Sequence, residues 1–568
     1  MIEKMKKYSF ILLSGDKEPF LKDLQDLGVM DICRSEKPVD NCSAALLSEI
    51  GEKKKEIKEI EKGMDSRLAG LLADLESLRK EERQAEIWGE HDPEALAVFN
   101  PHFYSTAAKK YDNSWEESYA IQKVDEDDGK VRFVLLGDNS GFPLKEIEAP
   151  ARSLASLRSD IKKAEEGADS YRKILEDRKK DIPALQEDLD RLKAEFSLYM
   201  AGKTGEHAAQ SKLVIYEGFA PAESSEDIRP ALDRMPVYYI EEDACAEDRP
   251  PIKLRNNRFV KMFEVLTDMY GRPAYDGFDP TPFISVFFLL FFAMCVGDAG
   301  YGIILIIVGL LLKKVKSFSS LAPLVVSLGA GTVLVGFFFH TFFSIDFAEA
   351  AWIPEGIRGI MVPSKVAGYD GTMVLALAVG VIHLLLAMTV KTVYATKNKG
   401  FLNSLSTWGW TVFWVGLAAI LLFSLAGVIE KTATKTIIII LGIVCAIGIF
   451  PLNNLHRNPL INIGSGLWDT YNMATGILGD VLSYLRLYAL GLAGAMLGFA
   501  FNDLASMALG DGGWRWIPFV LIVVIGHTLN IAMAALGAFV HPLRLNFLEF
   551  FKNSDYSGDG VRYNPLKK

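Results

Sequence analysis

Hydrophobic residues are distributed differently along the two halves of the chain. In the first half they recur singly, three or four positions apart, between clusters of charged residues, as amphipathic helices require. From residue 282 onward they form continuous runs of roughly 20 residues, the length that crosses a bilayer as a helix. The pattern therefore predicts a helical first half outside the membrane and a membrane-embedded second half.

The first half is predicted to fold as an antiparallel coiled-coil arm with two small α/β lobes. Residues 43–90 and 152–200 both repeat apolar side chains at helical spacing, with charged clusters between them. Residues 91–151 separate these stretches and form the distal lobe, where strand-like runs at 118–124 and 131–136 predict a β-hairpin. Because the two stretches flank this lobe, each is expected to be one long helix paired with the other.

The second lobe is expected next to the membrane. It comprises residues 1–42 and 201–280, and its first part is predicted to be strand, helix and strand, with Gly28 ending the helix. These boundaries predict a cytoplasmic N-terminal domain of residues 1–280 and a membrane domain of residues 281–568.

Eight apolar segments of the second half are predicted to span the bilayer, which gives a mainly α fold. They lie near residues 282–297, 298–312, 320–343, 372–390, 403–427, 434–450, 468–505 and 514–550. A helix over residues 514–551 is roughly 55 Å long at ~1.5 Å per residue, well beyond the hydrocarbon thickness. We therefore expect the two C-terminal helices to be long and tilted.

Charge separates the two halves as clearly as hydropathy does. The first 281 residues carry 43 basic and 58 acidic side chains, whereas the remaining 287 carry 18 and 13. An acidic front half argues against nucleic-acid binding, and no GxxxxGK[ST] motif is present to bind a nucleotide. The five cysteines lack metal-ligand spacing, so neither a disulfide scaffold nor a bound metal or cofactor is expected.

Both termini are expected in the cytoplasm. The apolar run at the start of the chain is about four residues long, too short for a signal peptide, and a charged helix follows it. An even number of spans, with a modest excess of Lys and Arg in the loops on the same side, agrees with this orientation.

Arg486 is the most informative residue of the membrane half. It lies nine residues inside the apolar run 477–501, roughly 13 Å from its end at ~1.5 Å per residue, which is too deep for easy snorkelling. A midplane arginine costs about 2.5–3.5 kcal/mol on insertion scales, and a guanidinium cannot shed its proton. It therefore requires a carboxylate partner or a water-filled cavity.

Small residues share the helix face of Arg486, and they let another helix approach closely. They are Gly479, Ser483, Ala489, Ala493 and Gly494. We infer that the arginine faces a carboxylate on a different polypeptide. The alternative is an arginine that locks the bundle by pairing with Asp480, six residues earlier, or with Asp298.

The last apolar segment carries a stripe of polar and small residues along one helix face. The stripe indicates a wet groove or an inter-helix contact, and it comprises His527, Asn530, Ala534, Gly537, His541 and Arg544. Arg544 taken alone is also typical of a snorkelling residue at the membrane boundary. His383, a lone histidine in another apolar run, is expected to hydrogen-bond within the bundle.

Several motifs occur in order across residues 250–568. Two contain the arginines, S-Y-L-R-L-Y-A-L at 483–490 and H-P-L-R-L-N-F-L-E-F at 541–550. The membrane region starts with D-P-T-P-F at 279–283 and G-D-A-G-Y-G at 297–302, after the linker P-I-K-L-R-N at 251–256. Together they resemble the stator membrane subunit of V-type and archaeal A-type rotary ATPases, called subunit a or subunit I; the front half is similar in architecture alone.

The resemblance implies a stator that lies beside a rotating ring of small, carboxylate-bearing membrane subunits. Arg486 faces the ring in such a stator, with Arg544 nearby, and it separates two half-channels for protons or sodium ions. The residues then implied in ion translocation are Arg486, Arg544, Ser483, His527, Asn530, His541 and Asp480. The small residues that face the ring are then Gly479, Ala489, Ala493 and Gly494.

The same resemblance implies the partners and the cell type. The arm binds peripheral stalk subunits, and the central-stalk cap of the ring is a further partner. The chain is then no enzyme on its own, but couples ion translocation to ATP hydrolysis or synthesis. An arm shorter than in eukaryotic relatives favours a bacterial or archaeal cell membrane.

The sequence departs from the family pattern along the polar route. Some relatives carry a histidine where Gly494 stands, and an acid or amide around the position of Ala534. A bulky stretch at 338–343 replaces a more glycine-rich one, and we hypothesise that its His340 lines the outer half-channel.

Two other classes of function stay open. A secondary transporter with a cytoplasmic coiled-coil regulatory arm predicts an internal repeat and helices broken at the midplane, and no convincing repeat is visible. A receptor or scaffold leaves Arg486 without a reason to be buried, unless it pairs within the chain with Asp480 or Asp298.

Overall fold

The structure of the protein is a computed structural model. It describes residues 1–35, 37–89, 93–127, 129–147, 152–315, 318–347, 359, 361–363, 365–366, 368–425, 427–428, 430–450, 459–508 and 516–567. Residues 426, 514 and 515 of the predicted spans lie outside the described residues.

The chain folds into two compact units, each built from several chain segments. The large unit comprises Met1–Leu12, Val29–Ile32 and Ile215–Pro565. The small unit comprises Leu13–Gly28, Cys33–Val214 and Leu566–Lys568. The domain division at residue 280, which follows the expected membrane boundary, stays a prediction.

The fold is mainly helical. The helices are α1 (Lys17–Leu27), α2 (Asn41–Lys62), α3 (Ser66–Glu86), α4 (Pro93–Ala97), α5 (Trp115–Ser118), α6 (Leu154–Arg178), α7 (Ile182–Thr204), α8 (Ser225–Leu232), α9 (Arg258–Lys261), α10 (Glu264–Tyr270), α11 (Thr281–Val296), α12 (Ala299–Leu312), α13 (Ala322–Phe338), α14 (Gly371–Lys399), α15 (Leu405–Leu425), α16 (Lys431–Ile449), α17 (Pro459–Ser483), α18 (Leu485–Ala508), α19 (Trp516–Arg544) and α20 (Phe551–Ser554). A π-helical segment, Leu545–Phe550, joins the last two.

The strands form small sheets. They are β1 (Met5–Leu13), β2 (Asp31–Ile32), β3 (Pro101–Ala107), β4 (Ala120–Asp127), β5 (Lys130–Leu136), β6 (Glu206–Ala208), β7 (Leu213–Pro221), β8 (Tyr238–Asp243), β9 (Thr341–Phe342), β10 (Ile345–Asp346), β11 (Lys365–Val366) and β12 (Tyr369–Asp370). The predicted strand, helix and strand at the start of the chain are β1, α1 and β2, and Gly28 ends α1 with a φ of 65°.

Antiparallel helix pairs make up most of the small unit. α2 packs against α7, and α3 packs against α6. Cross-pair contacts run in opposite directions along the chain: Tyr199 bonds Asp40 at 2.7 Å, whereas Arg178 bonds Glu56 at 2.7 Å. The seam of the first pair buries Ile50, Ile57, Ile60, Ile182, Leu189 and Leu192. Because exposed ion pairs contribute little, this apolar seam provides most of the stabilisation.

Each predicted long helix is broken near its middle, so the expectation of two continuous helices is wrong. Gly63 ends α2 with a φ of 63°, and Asp65 then caps α3 by accepting from the Leu68 N–H at 2.8 Å. In the returning stretch α6 ends at Arg178, and α7 begins at Ile182 with a proline in its first turn.

The predicted β-hairpin is confirmed. β4 and β5 pair antiparallel, and β3 adds to the other edge of β5, which gives the order β3-β5-β4. Tyr104 and Phe133 are buried in this sheet, and Trp115 and Phe142 pack against them. Aromatic rings at such close range stabilise a small sheet that lacks a large core.

A four-stranded path of sheet, in the order β2-β7-β1-β8, lies in the large unit. β1 and β8 pair antiparallel, and β1 buries Tyr8 and Phe10. The N-terminal amine beside β1 donates to Asp279 Oδ2 at 2.7 Å, directly before α11. The sheet is therefore tied to the start of the apolar helices.

The apolar segments predicted from the sequence are helices. Among the described residues, five helical stretches are long and apolar enough to cross a bilayer: Gly371–Asn398, Leu402–Ser424, Thr432–Ile449, Ile463–Ala508 and Trp516–Ser554. α11, α12 and α13 are apolar but shorter, at 16, 14 and 17 residues. α12 and α13 pack closely at glycines, since a Cβ at Gly302 would lie 2.6 Å from the Val333 nitrogen.

Candidate functional site

Arg486 follows an irregular turn between two long helices. α17 ends at Ser483 and α18 begins at Leu485, with Tyr484 between them. The Tyr484 ring is fully buried against Gly380 of α14, where any Cβ would collide with it. The tyrosine hydroxyl lies 2.9 Å from His383 Nδ1, which confirms that this histidine hydrogen-bonds within the bundle. This packing fixes the turn that positions Arg486.

The Arg486 guanidinium lacks an ionic partner within the described part of the chain. Its Nη1 atom is buried and has no hydrogen-bond acceptor among those residues. Asp480 is engaged elsewhere: its Oδ1 lies 3.2 Å from Lys552 Nζ, and its Oδ2 accepts from Asn553 Nδ2 at 2.7 Å. The alternative that Asp480 or Asp298 pairs with this arginine to lock the bundle is therefore wrong.

Asp298 is a buried carboxylate fully occupied by backbone N–H groups. Its Oδ1 accepts from Gly300 at 2.8 Å, Tyr301 at 3.1 Å and Phe343 at 2.9 Å, and its Oδ2 accepts from Ser344 at 2.6 Å. The carboxylate thus caps α12 and ties the β9–β10 hairpin to the start of that helix.

The surface beside Arg486 is exposed and lined by small residues. Gly479, Ala489 and Ala493 are all exposed, and a Cβ at Gly479 would meet nothing within 4 Å. Leu482 and Met496, 53% and 61% exposed, flank them. We call this surface the small-residue face. Its shape and apolar character leave room for a helix of another chain.

Arg544 and His541 lie at the end of α19. Arg544 is exposed and His541 is half-buried. Both Arg486 and Arg544 act electrostatically on the His541 ring, so the two guanidinium groups lie in one neighbourhood although they belong to different helices. Positive charge is therefore concentrated at this point of the helix pair.

His527 and Asn530 belong to a buried hydrogen-bond network. The Tyr301 hydroxyl lies 2.7 Å from His527 Nδ1 and accepts from Asn530 Nδ2 at 2.8 Å. His527 Nε2 lies 2.9 Å from Asn502 Oδ1, and Asn530 also donates to the Gly494 carbonyl at 2.8 Å. Of the two interpretations of the polar stripe, an inter-helix contact is the one that applies to His527 and Asn530.

A first cavity, of about 300 Å³, lies beside the opening turns of α18. His340, Asp346 and Asp370 line it together with Leu487 and Tyr488 of that helix. His340 Nδ1 is 2.8 Å from Asp346 Oδ1. These polar and ionisable groups form one part of a lining that is otherwise mostly apolar.

A second cavity, of about 350 Å³, lies at the other end of α14. Its polar lining includes Lys391, Asp469, Asn472, Lys552 and Asn553. Thr372 of the first cavity and Lys391 of the second are 19 residues apart on α14, or about 28 Å at 1.5 Å per residue.

Residues near Arg486 in the sequence have links to both cavities. Its neighbour Leu487 lines the first cavity. On the other side, Asp480 bonds Lys552 and Asn553, which line the second.

Sequence reasoning missed two residues of this region. Tyr301, inside a glycine-rich motif, is the hub of the buried network. Glu549 is 4% exposed, and one of its carboxylate oxygens has no partner among the described residues. Both could have been identified from the sequence, because Glu549 is an acid and Tyr301 carries a hydroxyl inside otherwise apolar runs.

These features are a bundle of helices long and apolar enough to cross a membrane, and an arginine with no ion pair among the described residues. The family described as V-type ATPase 116kDa subunit family matches residues 144–320. The chain is 28% identical over 472 residues to A-type ATP synthase subunit I of Methanocaldococcus jannaschii, covering 75% of this chain and 65% of that protein. It is 30% identical over 350 residues to the subunit of the same name from Pyrococcus abyssi, covering 58% and 50%.

A bacterial relative matches over its full length. V-type ATP synthase subunit I 1 of Treponema pallidum is 24% identical over 644 residues, covering all of both chains. The chain spans about half to two thirds of the length of the archaeal relatives that it matches. The chain is thus similar to subunit I of A-type and V-type ATP synthases from archaea and bacteria.

Proposed function

We propose that this chain is the stator membrane subunit of a rotary V/A-type ATPase, which couples ion translocation to ATP hydrolysis or synthesis. One observation carries the proposal: the Arg486 guanidinium lies beside an exposed small-residue face and has no ionic partner in the described part of its own chain. The similarity to subunit I of A-type ATP synthases supports it.

The missing counter-ion is a carboxylate of a neighbouring rotating subunit. A permanent cation in a water-poor site favours the ionised form of any carboxylate brought near it. A ring carboxylate that arrives at Arg486 therefore loses its ion, and it can bind one again after it has moved on. Small side chains at Ala489 and Ala493 allow the ring helices to pass closely.

The two cavities serve as the half-channels on either side of Arg486. The second cavity is the cytoplasmic one, and the first, which His340 lines, is the outer one. His541 and Arg544 shape the field near the arginine, while His527 and Asn530 hold α18 and α19 together. Ser483 and Asp480 lie on the cytoplasmic side of Arg486.

In the proposed topology eight helices span the membrane and both termini are cytoplasmic. The Met1 amine contacts Asp279 at the start of α11, and the Tyr556 hydroxyl near the C-terminus donates to the Gly271 carbonyl at 2.8 Å. The two ends of the chain therefore meet at one end of the helix bundle. The antiparallel helix pairs serve as a coiled-coil arm for peripheral stalk subunits, and the ring's central-stalk cap is a further neighbour.

ATP-driven ion uptake tests the proposed function. We expect that the affinity-tagged chain purifies with nucleotide-hydrolysing subunits and a small ring subunit, and that vesicles containing this assembly accumulate ions when ATP is added. Vesicles with the chain alone are the control and should accumulate none. Solute uptake by the chain alone, without partner subunits, would contradict the stator role and indicate a secondary transporter.

A further inference from the structure

Glu549 is a buried carboxylate to which the ion route described above gives no role. It lies in the π-helical segment that continues α19, a type of irregularity that is frequent at functional sites. Its Oε2 atom is buried and has no hydrogen-bond partner among the residues described. A carboxylate oxygen without a partner in such a place is costly unless the group binds a proton.

The charged and titratable groups near Glu549 come from several elements. Arg486 of α18 and Asp480 of α17 both act electrostatically on its carboxylate. The nearby Ser483 hydroxyl donates to the Gly479 carbonyl at 3.1 Å. The Glu549 carboxylate also acts electrostatically on the Tyr484 hydroxyl. The remaining groups of this region are His383 of α14, whose ring stacks on Phe550, and Lys552 of α20, which pairs with Asp480.

Polar contacts connect Glu549 to the second cavity. Asn553 Nδ2 donates both to Asp480 Oδ2 at 2.7 Å and to the Glu549 backbone carbonyl at 2.6 Å. Lys552 Nζ lies 3.2 Å from Asp480 Oδ1. Because Lys552 and Asn553 both line the second cavity, these contacts connect that cavity to Asp480 and to the backbone of Glu549.

A purely structural carboxylate in the same unit has a different environment. Asp298 is equally buried, at 4% exposure, but both of its oxygens accept backbone N–H groups. Glu549 keeps one oxygen without a partner, and the nearby guanidinium of Arg486 also lacks one. We propose that Glu549 is a proton-transfer residue that passes protons between the second cavity and the ring carboxylate near Arg486.

This inference rests on the proposed stator function. Its proton-transfer steps conserve the number of protons. In the pumping direction a ring carboxylate leaves Arg486 in its ionised form. The O–H bond of protonated Glu549 breaks as an O–H bond forms on the ring carboxylate, which leaves Glu549 ionised. Glu549 then takes a proton from the water of the second cavity by way of Asp480. One proton moves per cycle, and no electron is transferred.

The test is proton uptake by the complete complex in vesicles that contain a pH-sensitive dye. For Glu549→Gln we expect ATP-driven uptake to fall by about tenfold or more at neutral pH, since the relay group is lost. Uptake should recover in part as the external pH is lowered, because a higher proton concentration replaces the relay. A structural role would not produce that change of pH profile.

Matched variants make the result decisive. Glu430→Gln, at an exposed position, should leave the rate and the pH profile unchanged. Glu549→Asp keeps an ionisable group and should give an intermediate rate; it also decides the matter if the glutamine variant does not assemble. Unaltered uptake and pH profile in either assembled variant overturn the proposal, and so does a complex that moves sodium without protons. Full pumping by Arg486→Ala would instead overturn the stator function.

Discussion

Replacing Arg486 with alanine is expected to abolish ATP-driven ion transport while the complex still assembles. Alanine removes the cation that discharges each ring carboxylate, and it opens a direct path between the two cavities. A loss of about a hundredfold or more is typical when a preorganised electrostatic group is removed. The measurement is ion uptake by vesicles containing the purified complex, together with the amount of ring subunit that purifies with the chain.

Assembly of the complex without the Arg486 guanidinium is expected on physical grounds. Arg486 has no ion pair within the described part of the chain, so its removal breaks no salt bridge there. Arg562→Ala is the control, because Arg562 is 73% exposed and forms an ion pair with Asp268 at 3.8 Å outside the helix bundle. Transport at the unmodified rate by an assembled Arg486→Ala complex would contradict the role given to this residue.

Replacing Asp298 with alanine is expected to cause the largest loss of stability. Four backbone N–H groups lose their acceptor at once, and each buried donor left unpaired costs about 1–3 kcal/mol. After partial relaxation we expect a total loss of about 3–6 kcal/mol. The measurement is thermal unfolding of the purified chain in detergent, with the yield of folded protein as a second readout.

The loss of stability in Asp298→Ala should begin at the β9–β10 hairpin, which Asp298 ties to α12. Release of the β9–β10 hairpin frees the wall of the first cavity that carries His340 and Asp346. Asp298→Asn keeps one acceptor oxygen and should lose less stability, whereas Asp503→Ala, at an exposed position on α18, should lose almost none. Equal stability of Asp298→Ala and the unmodified chain would show that the four hydrogen bonds contribute nothing.

Local patterns were sufficient to predict most of the secondary structure. Apolar run length located the apolar helices, and strand-like runs located the hairpin of β4 and β5. The breaks in the two long helices were not predicted, since helical periodicity continues across them. The first of these breaks depends on one residue, Gly63, which takes a left-handed conformation. The turn at Tyr484, between α17 and α18, depends on packing against Gly380, which is far away in the sequence.

The sequence predicts those residues of the candidate site whose burial is energetically unfavourable whatever their neighbours are. Arg486 stands out because a cation inside an apolar run is expensive wherever it occurs. The cavities, and the burial of His527 and Asn530, depend on contacts among three helices that no helical wheel contains. Glu549 is 4% exposed because it lies in the π-helical segment Leu545–Phe550, a local irregularity that the apolar pattern of the sequence does not indicate.

A photo-crosslinking amino acid at Ala493 tests most directly whether the partner of Arg486 belongs to another polypeptide. Ile443, 60% exposed on α16, is the matched control, because it is expected to face lipid. After illumination of the assembled complex, a covalent adduct between this chain and a small membrane subunit is expected at Ala493 and not at Ile443. An assembled complex that gives no adduct with another polypeptide at Ala493 would contradict the stator function.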